Sequence, residues 1–225
     1  MTAEQQDNYE IIQREMTMAG ARLIAISKTH PVEKIQAYYD LGHRDFGENR
    51  VAEFLEKQAV LPADINWHFI GHLQRNKVKE LVGKIGLIHS VDSPRLLREI
   101  NKQAVKADTQ VEVLLQFHIA AEESKYGLTA KVAKEMLRDP ELKLPGVRIK
   151  GVMGMATYTD IDEQIADEFQ QLKDIFDELK SEFFADDPHF REISMGMSGD
   201  YPIALEKGST MVRVGSLLFG NRNYG

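Results

Sequence analysis

The 225-residue chain contains no cysteine. That absence excludes disulfides, thiolate metal sites and cysteine nucleophiles together. No apolar run approaches the roughly 18 residues that a membrane span needs. Residues 1–20, MTAEQQDNYEIIQREMTMAG, mix acids and glutamines where a secretory leader would carry an apolar centre. No long lysine or arginine tract occurs and the formal net charge is −7, which argues against a general nucleic-acid footprint and leaves room only for a local basic pocket. No low-complexity tract, short-period repeat, linker or composition shift divides the chain, so residues 1–225 read as one domain. The expectation is a cytoplasmic globular protein that makes no membrane contact.

What is present is an alternation of short apolar runs with amphipathic segments. Residues 3–18 have helical character and lead into Leu23-Ile24-Ala25-Ile26, which ends abruptly at Ser27-Lys28-Thr29-His30-Pro31. The run reads as a buried strand, and the proline suits the first position of a helix. Val32, Ile35, Tyr38, Tyr39 and Leu41 recur at helical spacing until Gly42 stops them. Further strands are expected at 44–47, 66–70, 86–91, 111–117, 147–152, 191–194 and 211–214. Between them fall helical patterns after Asn49, in a basic stretch to about Val82, from Ser93-Pro94 to Ala104, over 129–138, from Asp160 to Phe183, and briefly at Ala204 and Leu205. Eight strands alternating with helices predict an α/β fold, a single (β/α)8 TIM-type barrel with an additional N-terminal helix. An open doubly wound sheet is the competing arrangement, and the lack of G-x-G-x-x-G after the first strand counts against it.

In a barrel the carboxyl ends of all the strands face one rim. Lys28, Asn49, His72, Met155, Ser198 and the 213–215 segment then converge there. The glycine-rich stretches S-M-G-M-S-G-D (194–200) and G-S-T-M-V-R-V-G (208–215) fall on the loops after strands seven and eight, a recurrent phosphate site. Glycines let backbone N–H groups approach an oxyanion, and Ser198 can add a hydroxyl. Taken singly, either turn could merely close a barrel, and Lys28 could merely cap a strand in solvent. A phosphate cradle opposite a strand-end lysine fits pyridoxal 5′-phosphate, whose aldehyde a lysine amine captures as a Schiff base. The H-x-x-x-H pair His68 and His72 straddles a strand and a turn, so no metal is expected there. The basic run around Arg75, Lys77 and Lys79 reads as a solvated helix face, and Glu122-Glu123 as loop surface.

Read together, S-K-T-H-P (27–31), F-G-E-N-R (46–50), W-H-F-I-G-H-L-Q-R-N-K (67–77), E-E-S-K-Y-G-L (122–128) and the two glycine-rich stretches closely resemble the pyridoxal phosphate homeostasis proteins. The resemblance runs from about residue 20 to the end. It implies the barrel of the alanine racemase N-terminal domain, bound pyridoxal 5′-phosphate, and a part in intracellular vitamin B6 balance without demonstrated catalysis. By position it implies Lys28 as the Schiff-base lysine and Ser198, Gly199, Gly215 and Ser216 as phosphate ligands. Arg213 would face the pyridine nitrogen, Asn49 would line the ring's side, and His72 and Met155 would be pocket walls. An arginine beside the ring nitrogen keeps its own proton, leaves that nitrogen unprotonated and weakens the electron sink. The β-rich second domain of alanine racemases, with its tyrosine base and dimer contacts, has no counterpart after Arg213. A monomeric carrier is therefore expected, with free amino acids or enzymes that accept the cofactor as partners. Two competing readings are a minimal amino-acid racemase using the lysine as its only base, and a barrel that binds a phosphorylated metabolite without covalent capture.

Overall fold

Residues 1–122 and 126–220 are described by the computed structural model. Eight parallel strands run β1 (Arg22–Ile26), β2 (Asp45–Glu48), β3 (Asn66–Phe69), β4 (Leu87–Val91), β5 (Val111–Gln116), β6 (Val147–Met153), β7 (Glu192–Met197) and β8 (Met211–Val214). Each pairs with its neighbours in sequence order, and β8 returns to β1, so the sheet closes. The helices are α1 (Ala3–Ala19), α2 (Val32–Asp40), α3 (Val51–Gln58), α4 (Val78–Leu81), α5 (Pro94–Lys106), α6 (Ala130–Arg138), α7 (Asp162–Phe183), α8 (Tyr201–Glu206) and α9 (Ser216–Phe219). The architecture is the expected (β/α)8 barrel, preceded by the expected helix. No helix among the described residues is long and apolar enough to cross a membrane.

Local signals set the helix starts. Thr2 and Gln5 form a reciprocal capping box for α1, and the Ser93 hydroxyl accepts the Leu96 N–H just ahead of Pro94 in α5. Thr129 caps α6 in the same way. Alternation along the strands then sorts side chains to the two faces of the sheet. Leu23, Ala25, Phe46, Trp67 and Phe69 point outward and pack under the helices in the main core. Ile24, Ile26, Leu87, Leu114, Met153 and Met211 form a second, smaller apolar cluster inside the barrel. Gly47 belongs to that inner face, since a Cβ there would stand 2.6 Å from Ile26 Cδ1.

Three local expectations need correction. β7 is six residues long and runs to Met197, so Ser194 lies within the strand and not in the loop after it. Gly196 permits this extension: at φ 91°, it brings the strand end so close to α8 that a Cβ would lie 2.6 Å from that of Ala204. The basic stretch is a three-residue 3₁₀ turn followed by the four-residue α4, because only Val78 and Leu81 find a core to enter. Finally, α9 follows β8 directly, with Leu218 and Phe219 buried. Asn8 of α1 donates to the Leu217 carbonyl, while Tyr38 and Lys34 of α2 donate to those of Leu218 and Phe219.

Candidate cofactor site

A cavity of about 610 Å³ opens at the carboxyl rim of the barrel, within the usual range for small-molecule sites. Its wall contains Lys28 from the turn after β1, Asn49 from the end of β2 and Met155 from beyond β6. Ser198 and Gly199 enter from the loop after β7, with Arg213, Gly215 and Ser216 from β8 and the start of α9. Residues nearly two hundred positions apart in sequence thus share one wall, as strand-end placement requires. His72 is not in this wall. Its Nδ1 lies 3.0 Å from Asp92 Oδ2 and its ring stacks on Tyr126 at 4.3 Å, so it braces the next loop instead.

The backbone on both sides of Lys28 is pinned from below. Lys57 Nζ donates to the Ser27 carbonyl at 2.8 Å and to Glu48 and Glu53 Oε1 at 2.7 Å each. The Ser27 hydroxyl donates to the same Glu48 oxygen, and the Thr29 N–H to Glu53. Glu48 and Lys57 are both buried. Burial pushes the Glu48 carboxyl up, against the pull of Lys57 and Ser27. Thr29 itself sits at φ 67°, a left-handed conformation that a β-branched residue adopts only at a cost of about 1–2 kcal/mol. Strain is therefore held in the residue next to the lysine. Thr29→Gly is expected to raise the urea midpoint by the equivalent of about 1 kcal/mol while slowing ligand capture at Lys28. Equilibrium denaturation and stopped-flow capture, measured side by side, check both parts.

On the opposite side, Ser198 Oγ accepts the Gly215 N–H at 3.2 Å and ties the loops after β7 and β8 together. The Gly215 N–H, expected as an anion donor, is here given to the Ser198 hydroxyl. The first turn of α9 leaves the N–H groups of Ser216 and Leu217 without intrahelical acceptors. Gly199 is open, with no atom within 4 Å of where a Cβ would stand. Asp200 Oδ1 accepts the Met197 N–H at 2.5 Å and sets the turn. Deep in the wall, Arg213 is buried and gives its Nη1 to Ser194 Oγ (2.5 Å) and its Nη2 to the Gly154 carbonyl (2.9 Å). Burial brings its pKa down to about 10, which still leaves a cation at neutral pH.

Sequence reasoning missed one side of the cavity. Thr157, Tyr158, Thr159 and Asp160 also belong to the wall. Glu168 of α7 reaches back to them, accepting the Thr157 N–H and hydroxyl at 2.6 Å each. Glu122, expected as loop surface, accepts the Tyr158 N–H at 3.1 Å and bridges two loops. Glu123 lies outside the described residues. In sequence Glu168 is only an acid set beside the apolar stripe of α7, and its burial shows once that helix is in place.

The described residues of the wall meet the demands of pyridoxal 5′-phosphate in their donor set: the Lys28 amine, the Ser198 hydroxyl with adjacent amides, and the Arg213 guanidinium. Asn49 Oδ1 is also buried with no hydrogen-bond partner among the described residues, and a buried polar atom in a cavity wall calls for a partner from outside the chain. No group of three or more His, Asp or Glu residues able to hold a metal occurs among the described residues.

Residues 2–223 match the family model described as alanine racemase, N-terminal domain. The pyridoxal phosphate homeostasis protein of Aquifex aeolicus is 42% identical over 221 residues, covering 96% of this chain and 95% of that one. The chain belongs to the pyridoxal phosphate homeostasis protein family. Among solved structures, PipY of Synechococcus elongatus without PLP superposes with a TM-score of 0.85 at 32% identity, covering 95% of this chain and 99% of that one. PipY with PLP bound superposes with a TM-score of 0.77 at 34% identity, covering 89% and 93%. This family member thus resembles both the free and the PLP-bound PipY structures.

Proposed function

We propose that the chain binds pyridoxal 5′-phosphate and acts in intracellular vitamin B6 homeostasis. The observation that carries this reading is the shared wall: Lys28 and the 198–216 anion corner line one cavity. PLP bound to PipY and the name of the Aquifex aeolicus relative support it.

Lys28 would hold the cofactor's aldehyde carbon through Nζ, as a Schiff base. The Ser198 hydroxyl, with the amides of Gly199 and Ser216, would take the phosphate. Arg213 would face the ring nitrogen and Asn49 the side of the ring. When bound, the cofactor supplies an electrophilic carbon and an electron sink. Arg213 would limit that sink, because a guanidinium facing the ring nitrogen would donate a hydrogen bond without surrendering a proton. Among the described residues of the wall, Lys28 is the one lysine and no histidine occurs. We read the protein as a carrier that exchanges the cofactor with free amino acids or with accepting enzymes, in the cytoplasm and as a monomer.

Addition of pyridoxal 5′-phosphate is expected to produce a visible band above 400 nm (about 420 nm for a protonated imine), and borohydride to fix one equivalent on the peptide containing Lys28. Saturation without that band, or label on another lysine, would sink the assignment. A two-base version of the racemase reading, beyond the one in which the lysine is the only base, draws on Tyr158, a phenol in the wall that is 98% exposed. Rapid solvent deuterium exchange at the α-carbon of an amino acid, lost in Tyr158→Phe, would favour it over the carrier.

A further inference from the structure

Beneath Arg213 the barrel interior contains a line of polar side chains that the cofactor reading leaves unused. Ser194 Oγ, which accepts from Arg213, lies 2.9 Å from His89 Nδ1. His89 Nε2 lies 2.9 Å from His68 Nδ1, and His68 Nε2 lies 3.0 Å from Asp45 Oδ1. The line crosses the inside of the barrel from β8 through β7, β4 and β3 to β2. Arg213 is 4% exposed, His68 1%, and Ser194 and His89 0%. Buried imidazoles in a barrel centre are costly unless each nitrogen has a partner, and here every nitrogen has one.

The two ends fix the direction of every proton between them. A guanidinium only donates, so Ser194 Oγ accepts from Arg213 and its single hydrogen must go onward, to His89 Nδ1. That leaves the His89 proton on Nε2, donated to His68 Nδ1. The His68 proton is then on Nε2 and is donated to Asp45, whose carboxylate only accepts. The opposite direction would set a bare imidazole nitrogen 3.0 Å from a carboxylate and leave the Ser194 hydrogen without an acceptor. Asn66 Nδ2 lies 3.1 Å from His68 Nε2, and both converge as donors on the same Asp45 oxygen, which Asn66 reaches at 2.6 Å. Burial holds both histidines below their ordinary pKa, hence neutral at pH 7. Burial pushes the Asp45 carboxyl up, but His68, the bond from Asn66 and the Arg22 cation 4.0 Å away together outweigh it and hold it down as an anion.

We propose that His68 and His89 are positioning residues for Arg213: with Ser194 and Asp45 they form a one-way chain of hydrogen bonds that fixes the guanidinium at the floor of the cofactor cavity. The proposal rests on the pyridoxal phosphate reading for what Arg213 faces, and on the barrel interior alone for the chain itself. Without a hydrogen-bond acceptor at position 89, the Ser194 hydroxyl has nowhere to send its proton and competes with Arg213 as a donor. The guanidinium then keeps only its bond to the Gly154 carbonyl.

Two measurements test this. In the full-length protein without added cofactor, long-range ¹H–¹⁵N correlation of the histidine rings, assigned with His68→Gln and His89→Asn, is expected to show both rings neutral and protonated on Nε2. A charged ring or an Nδ1–H ring at either position overturns the chain. In the second, pyridoxal 5′-phosphate affinity is expected to fall about tenfold in His89→Leu, but to stay within about threefold in His89→Asn, whose side-chain oxygen restores the acceptor for Ser194. Equal affinity in His89→Leu and the unmodified protein overturns the positioning role. An unmodified protein that takes no cofactor while both rings carry Nε2–H would sink the cofactor reading and uphold the chain.

Discussion

Lys28→Ala is expected to abolish the borohydride-fixed adduct and the visible band, while the protein remains folded. The side chain is only half-buried, in a turn outside β1, so its loss removes no core contact. No second lysine lines the cavity among the described residues, so none of them offers a substitute amine. The anion corner survives the change: Ser198, Gly215 and the start of α9 are held by their own hydrogen bonds and by α1 and α2. Residual, non-covalent binding is therefore expected, weaker by about a hundredfold, which is roughly 2.8 kcal/mol. Equilibrium dialysis gives the affinity and mass spectrometry after reduction gives the adduct. An undiminished adduct in the variant would place the covalent link on a different lysine.

The largest loss of stability is expected from Lys57→Met. Methionine fills the same space without the charge, so the effect isolates the cation. Its removal leaves Glu48 Oε1, Glu53 Oε1 and the Ser27 carbonyl without their shared donor, in a setting where Lys57 is 5% exposed and Glu48 0%. Breaking a buried ion pair from one side costs about 3–5 kcal/mol, because the partner charge stays behind. Adding Glu48→Gln should recover part of it, since a neutral amide needs no counter-ion. Urea denaturation of the single and double variants measures both; a cost under about 1 kcal/mol for Lys57→Met would mean that water already reaches the cluster. The same substitution frees the turn on both sides of Lys28, so slower capture of the cofactor should accompany the lost stability.

The barrel was legible because its strands follow simple rules. The run Leu23-Ile24-Ala25-Ile26 is apolar on both faces, as a parallel strand covered by helices must be, 111–117 keeps an unbroken apolar face at Val111, Val113, Leu115 and Phe117, and Ser93-Pro94 and Gly42 mark helix ends. The rim positions of Lys28, Asn49, Ser198 and Arg213 followed from strand ends and glycine-rich turns. What stayed hidden depends on packing. Nothing in Asp45, His68 or His89 taken singly tells that alternation turns all three inward to meet Ser194. The H-x-x-x-H spacing of His68 and His72, discounted as a metal pair, names neither residue's partner; in the structure His72 points to Asp92. Glu48, Glu53 and Lys57 look like ordinary surface charges until α3 lays Lys57 over the end of β2. The reach of Glu168 into the 157–160 loop likewise depends on where α7 docks.

Pairing between β1 and β8 closes the barrel, with Ile24 beside Arg213 and Ala25 beside Val214. Lys28 and Arg213 stand on the two sides of that seam. A small molecule gripped by both would act as a staple between the first strand and the eighth, and the sheet could not part there without letting it go. Occupancy and ring closure are then thermodynamically linked, each favouring the other by mass action. A chain whose seam has not yet zipped has no complete place to put the ligand.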